Sequence, residues 1–227
     1  MDTFKRNQVE GAIAECLERV RRPGGEPNQA LAVRLKRLIE TDRELPLRAH
    51  GQVAASGTYA FFDEAPPGKG VEVTYSNYGA FGLYLAVRLM DAGMPQSEAV
   101  RFMRQIRREI EGEHHRILGV SPEKLIDHTP PGGLEREIRA GLLVRSLDHM
   151  TFLVVPADLH SGPTWFRRSA DRNKLVNICR SRKELNEVIE FLGIQGPPII
   201  ALELTNPSHR LIYWLHKIEP IKRGRKA

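Results

Sequence analysis

Cysteine is scarce in this chain. Its 227 residues hold two, Cys16 and Cys179, far too distant in sequence to form a CxxC metal or redox pair. Long apolar runs are absent as well. The longest, such as residues 199–202, fall well short of the roughly 20 residues a bilayer helix needs. The opening residues 1–6 run straight into charge with no apolar segment, so no secretory leader is expected and a cytoplasmic protein is. Motifs that carry catalysis are also missing: there is no P-loop glycine spacing, no GxSxG elbow and no HExxH helix. No cofactor or metal is therefore expected. Glu113, His114 and His115 have ligand chemistry, but adjacent histidines on a helix point about 100° apart and do not share an ion easily.

What the chain has is positive charge, unevenly placed. The formal net charge is +6 and the sequence pI about 9.5. Residues 1–60 carry 10 Lys and Arg against 8 acidic residues, residues 61–149 carry 11 against 13, and residues 150–227 carry 13 against 7. The excess lies in the last third. Such a surface favours polyanions, among them DNA, RNA and anionic lipid, although a merely solvated basic face has the same composition.

Hydrophobic periodicity predicts the elements. Val9, Ile13, Cys16, Leu17 and Val20 mark an amphipathic helix over 5–22, stopped by Pro23, Gly24 and Gly25. Asn28 caps a second helix with Leu31, Leu35, Leu38 and Ile39 on one face. Residues 59–62 and 71–75 flank a turn-rich DEAPPGKG and read as a β-hairpin. Ser76 caps a helix that ends at Gly93. A further helix over 96–110 has Arg101, Arg104, Arg107 and Arg108 on its outer side, and Pro122 opens a short helical piece. Pro130, Pro131, Gly132 and Gly133 form the clearest linker. Strands are expected over 151–156, 175–179 and 199–204, with helices over 183–192 and 207–218.

The fold class is therefore α+β: a mainly helical winged-helix-type N-terminal module followed by a small α/β domain. The expected boundaries are 1–130 for the helical module with its hairpin wing, 131–149 for a linker with a helix, 150–220 for the α/β domain and 221–227 for a basic tail.

From Tyr75 and Ser76 onward the sequence resembles the MerR family of bacterial transcription regulators. That family often has Tyr-Ser after the strands of its wing. The likeness continues through Leu83, Val87 and Leu89, then Gly93, then Ser97, Glu98 and Val100, and covers about residues 59–108. It implies a winged helix-turn-helix that reads duplex DNA as a transcription regulator. Since such proteins often read paired half-sites, it also implies a homodimer.

DNA binding requires cations that meet phosphates and an element that enters a groove. Arg34, Lys36 and Arg37 are candidates for the recognition helix, and Arg48, His50 and Gln52 have side chains suited to base edges. Lys69 lies at the tip of the expected wing. Arg167, Arg168, Arg172 and Lys174, with Trp165 and Phe166, and then Arg180, Arg182 and Lys183, interleave rings and cations as a nucleic-acid surface does. Two other classes fit the same residues. One is a protein-interaction or assembly adaptor with a basic face. The other is a metal-dependent nucleic-acid-processing enzyme built on Asp158, His160 and Asp171.

Overall fold

The computed structural model describes residues 2–21, 26–46, 59–66, 73–156, 176–193 and 198–221. Among them are eight α-helices and two small antiparallel sheets, an α+β architecture. No described helix is long and apolar enough to cross a membrane.

The chain opens with β1 (Phe4–Lys5) and α1 (Arg6–Cys16). Gln8 serves both ends of this helix's environment. Its Oε1 accepts from the Lys5 N–H at 3.0 Å, and its Nε2 donates to the Leu215 and Ile218 carbonyls. The helix is shorter than its periodicity suggests. After Cys16 the chain turns through Glu18 at φ 55°, and Val20 forms an isolated bridge with Pro27. The Arg19 carbonyl accepts from Asn28 N–H at 2.8 Å, which returns the chain to α2 (Gln29–Glu44). There Asn28 Oδ1 accepts from Leu31 N–H at 2.9 Å and fills one orphan donor of the first turn.

β2 (Thr74–Tyr75) pairs antiparallel with β1, Phe4 opposite Tyr75 and Lys5 opposite Thr74. The hairpin expected between 59–62 and 71–75 is thus corrected. Residues 59–62 form no strand, and the N–H groups of Ala60 and Phe61 go to the Asp42 carboxylate, both at 3.0 Å. α3 (Asn77–Asp91) starts at Ser76, whose Oγ accepts from Gly79 N–H, and stops before Gly93 at φ 98°. Gly79 is required by close approach: a Cβ there would sit 2.6 Å from the Phe61 carbonyl oxygen.

α4 (Gln96–Leu118) runs eight residues beyond the expected end at 110. Its apolar face continues through Ile110 and Ile117, and Glu113 and His114 also turn inward. Short helices α5 (Pro122–Leu125) and α6 (Leu134–Ala140) and a 3₁₀ turn at Leu147–His149 lead into the second sheet.

That sheet has the order β4 (Asn177–Cys179), β3 (Phe152–Pro156), β5 (Ile199–Glu203), with both pairings antiparallel. β3 is covered on both faces, which explains its unbroken apolar sequence. Leu153 and Val155 join the main core, while Phe152 and Val154 pack with Cys179 and Leu185 under α7 (Arg182–Gly193). α8 (Thr205–Lys217) closes the chain against α1 and places Leu211 and Leu215 in the same main core as Leu35, Phe81 and Phe102.

Candidate nucleic-acid interface

α2 turns Leu31, Leu35, Leu38 and Ile39 to the core, and the helical period then sets the cations outside. Arg34, Lys36, Arg37 and Arg43 are all exposed. Arg34 and Arg37, three residues apart, share one flank, and Lys36 and Arg43, seven apart, share the other. Two of the four carry local counter-ions. Arg34 reaches Asp91 at 2.7 Å, where Arg19 also binds at 3.1 Å, and Lys36 lies 3.7 Å from Glu40. Among the described residues no ion pair engages Arg37 or Arg43. The Arg43 guanidinium lies 5.5 Å over the Phe62 ring.

Behind this face sits a charged clamp that holds the helix and residues 59–63 together. Asp42 is fully buried. It accepts from the two backbone N–H groups already named and from Arg104 Nε at 2.7 Å. Arg104 further donates to the carbonyls of Asp42, Leu45 and Pro46. One turn on, Arg107 donates to the Tyr59 carbonyl at 2.7 Å, the Phe62 carbonyl at 2.5 Å and Asp63 at 2.5 Å, while its guanidinium lies 4.9 Å over the Tyr78 ring. The outward placement expected for all four α4 arginines is therefore corrected for Arg104 and Arg107. Their fork of donors satisfies carbonyls that have no ladder partner. Arg101 and Arg108 are exposed, and Arg101 pairs with Glu98 at the three-residue spacing its sequence suggests.

A second buried carboxylate ties α4 to the sheet. Glu113 Oε1 accepts from Arg116 Nη2 at 2.5 Å, and Glu113 Oε2 accepts from Arg180 Nη2 at 2.9 Å. Those guanidinium bonds outweigh burial and hold its carboxyl below the usual range. Arg180 thus has a structural partner. His114 and His115 diverge: His115 is exposed, whereas His114 is buried and stacked on Phe81 with centroids 4.2 Å apart. Burial pushes the His114 imidazole down to about 3, so it sits neutral. Tyr75 and Tyr78 are core residues, 2% and 3% exposed.

Of the positions predicted from sequence, Arg34, Lys36 and Arg37 come together on α2. Arg48, His50, Gln52, Lys69, Arg167, Arg168, Arg172 and Lys174 lie outside the described residues, as do Asp158, His160 and Asp171. Arg43 escaped the sequence reading, although its seven-residue distance from Lys36 is the signal that would have found it. Comparison with protein-family models, curated proteins and solved structures finds no significant match to any of them.

Proposed function

We propose that this chain binds duplex DNA through the outer face of α2, as a divergent MerR-like regulator whose reading element is a helix rather than a hairpin wing, acting in the bacterial cytoplasm, with a homodimer as its working form. The observation that carries this reading is the set of four exposed cations on a helix whose other side is fixed by the Asp42–Arg104 and Arg107 clamp. A rigid helix presenting guanidinium and ammonium groups meets the requirement for phosphate contact and groove entry. The resemblance to MerR regulators from Tyr75 onward supports the same reading.

Fluorescence-anisotropy titration against genomic-fragment and scrambled duplexes, from about 50 to 200 mM salt, tests it. Preference for some duplexes that survives the higher salt is expected. Arg37→Glu is expected to weaken binding to every duplex and to lower the log–log salt slope by about 1 or more, as loss of a phosphate contact does. Equal affinity for all duplexes, abolished by salt and indifferent to Arg37→Glu, would sink the proposal.

A further inference from the structure

Among the described residues β5 is the last strand of its sheet, and its outer edge faces a groove. The register sets Phe152 opposite Glu203, hence Thr151 opposite Leu204, and Leu204 N–H donates to the Thr151 carbonyl at 2.8 Å. In an antiparallel ladder the bonded pairs alternate. Ile200 and Leu202 therefore aim their N–H and C=O at β3, and Ile199, Ala201 and Glu203 aim theirs away. Pro156, opposite Ile199, has no N–H to offer, which agrees with that parity.

The groove confirms which side is open. Residues 198–202 line a space of about 540 Å³, with Arg19, Arg88, Asp91 and Ala92 on the far wall. A sheet face would contribute every second residue, whereas five consecutive ones mean that a strand edge forms the wall. The space continues along residues 201–203 into a second hollow of about 310 Å³, opposite Tyr84, Leu85 and Arg88. Volumes of this size suit a bound ligand. Exposed edges are normally blunted by Lys, Pro, a bulge or very short length. β4, at the opposite edge, is three residues long, whereas β5 has Pro198 just before it and Glu203 at its end, and its Ile199–Leu202 stretch between them holds no Lys, Pro or bulge.

We propose that the outer edge of β5 binds an extended peptide as a fourth strand, with an acidic side chain of that peptide seated on Arg88. Main-chain pairing supplies the affinity in this mode, and side-chain contacts supply the selectivity. Arg88 is exposed, lines both hollows, and among the described residues has no ion-pair partner. Its neighbour Arg19 is already held by Asp91. The occupant is thus selected by charge. This site adjoins the α2 face through Asp91, which holds both Arg34 and Arg19, but peptide binding there does not require the DNA reading to hold.

The probe is a fluorescein-labelled short peptide of alternating valine and threonine with one central glutamate, titrated by anisotropy into the full chain. A matched peptide with central lysine, and the glutamate peptide N-methylated on every amide, serve as controls. The glutamate peptide is expected to bind, the lysine peptide about tenfold or more weaker, and the N-methylated one not at all, since it cannot donate to the edge. Arg88→Ala is expected to erase the glutamate preference. Ala201→Pro removes an outward N–H and leaves the β3 ladder its bonds, so it is expected to abolish binding with little change in Tm. Arg37→Glu is expected to leave peptide binding unchanged, which separates failure here from failure of the DNA reading. Binding indifferent to N-methylation, or no binding by any of the peptides, overturns the proposal. So does a dimer in sedimentation analysis that Ala201→Pro turns into monomer, because the edge would then belong to a second copy.

Discussion

The two sides of α3 are finished in opposite ways. On the α2–α4 side, residues 59–63 have no strand partner, yet Asp42 takes the N–H groups of Ala60 and Phe61, and Arg107 takes the carbonyls of Tyr59 and Phe62. On the β5 side, a regular strand turns every second N–H and C=O toward a groove, where they meet no partner among the described residues. Regularity and closure are therefore separate properties. An irregular segment becomes part of the core when charged side chains answer its main chain, and a well-formed strand stays reactive when nothing does.

The sharpest way to break this contrast is Asp42→Ala. The substitution strands Arg104 in an 11% exposed site and orphans two N–H groups at once. Removing one partner of a buried pair costs about 3–5 kcal/mol, and equilibrium urea unfolding should show a loss of that size. A loss below about 1 kcal/mol would mean that residues 59–63 are held by apolar packing alone, as an exposed ion pair is worth no more than that.

The clamp also marks the limit of what the sequence discloses. Helix periodicity and caps were legible: Asn28, Ser76 and Gly93 stand where local chemistry puts helix ends, and the two-face burial of β3 is visible in its apolar run. Partners distant in sequence were not. Tyr75 pairs its main chain with Phe4 across about seventy residues and meets the nearby aromatic segment only through its ring, 5.5 Å from that of Phe62, and nothing local to either strand encodes that choice. Arg104 and Arg107 look like members of a solvated basic face, because helical spacing places them near its edge and most of their acceptors are main-chain carbonyls, with the carboxylates of Asp42 and Asp63 more than forty residues away. On α2 the cations themselves were legible, but the capture of Arg34 by Asp91 was not, since Asp91 comes from another helix.

Two titratable groups, Glu203 half-buried at the groove and His114 buried in the core, sharpen the comparison through opposite pH slopes. At the groove, burial pushes the Glu203 carboxyl up from 4.5 to about 7, against the opposing bond from Asn206 N–H to its Oε1. The native state then holds a proton the unfolded chain has lost, so this residue's contribution falls as pH rises from about 4.5 to about 7. His114, in the closed core, is pushed down from 6.5 to about 3, so the unfolded chain binds the extra proton and stability falls as pH drops below 6.5. Glu203→Gln is expected to remove the first slope, and His114→Phe, which keeps a ring against Phe81, the second. Urea midpoints measured across that range check both. Unchanged slopes would mean that water reaches these groups and screens them.

The smallest effect on stability lies at Asp91, which joins the two regions. Its carboxylate holds Arg34 of the α2 face and Arg19 of the groove wall together. Both guanidinium groups are more than a third exposed or close to it, at 44% and 35%, so the pairs are screened and their loss in Asp91→Asn should cost under about 1 kcal/mol. Binding should respond far more. Freeing two arginines while removing one negative charge is expected to strengthen duplex DNA binding and steepen its salt dependence. The same change should tighten the acidic peptide at β5, because Arg19 then joins Arg88 in offering an unpaired charge. If DNA affinity rises and peptide affinity does not, Asp91 bears on the α2 face only, and Arg88 alone sets the charge preference of the groove. If neither moves, the cations of α2 and of the groove wall act as solvated surface, and the contrast between the two sides is one of stability rather than of recognition.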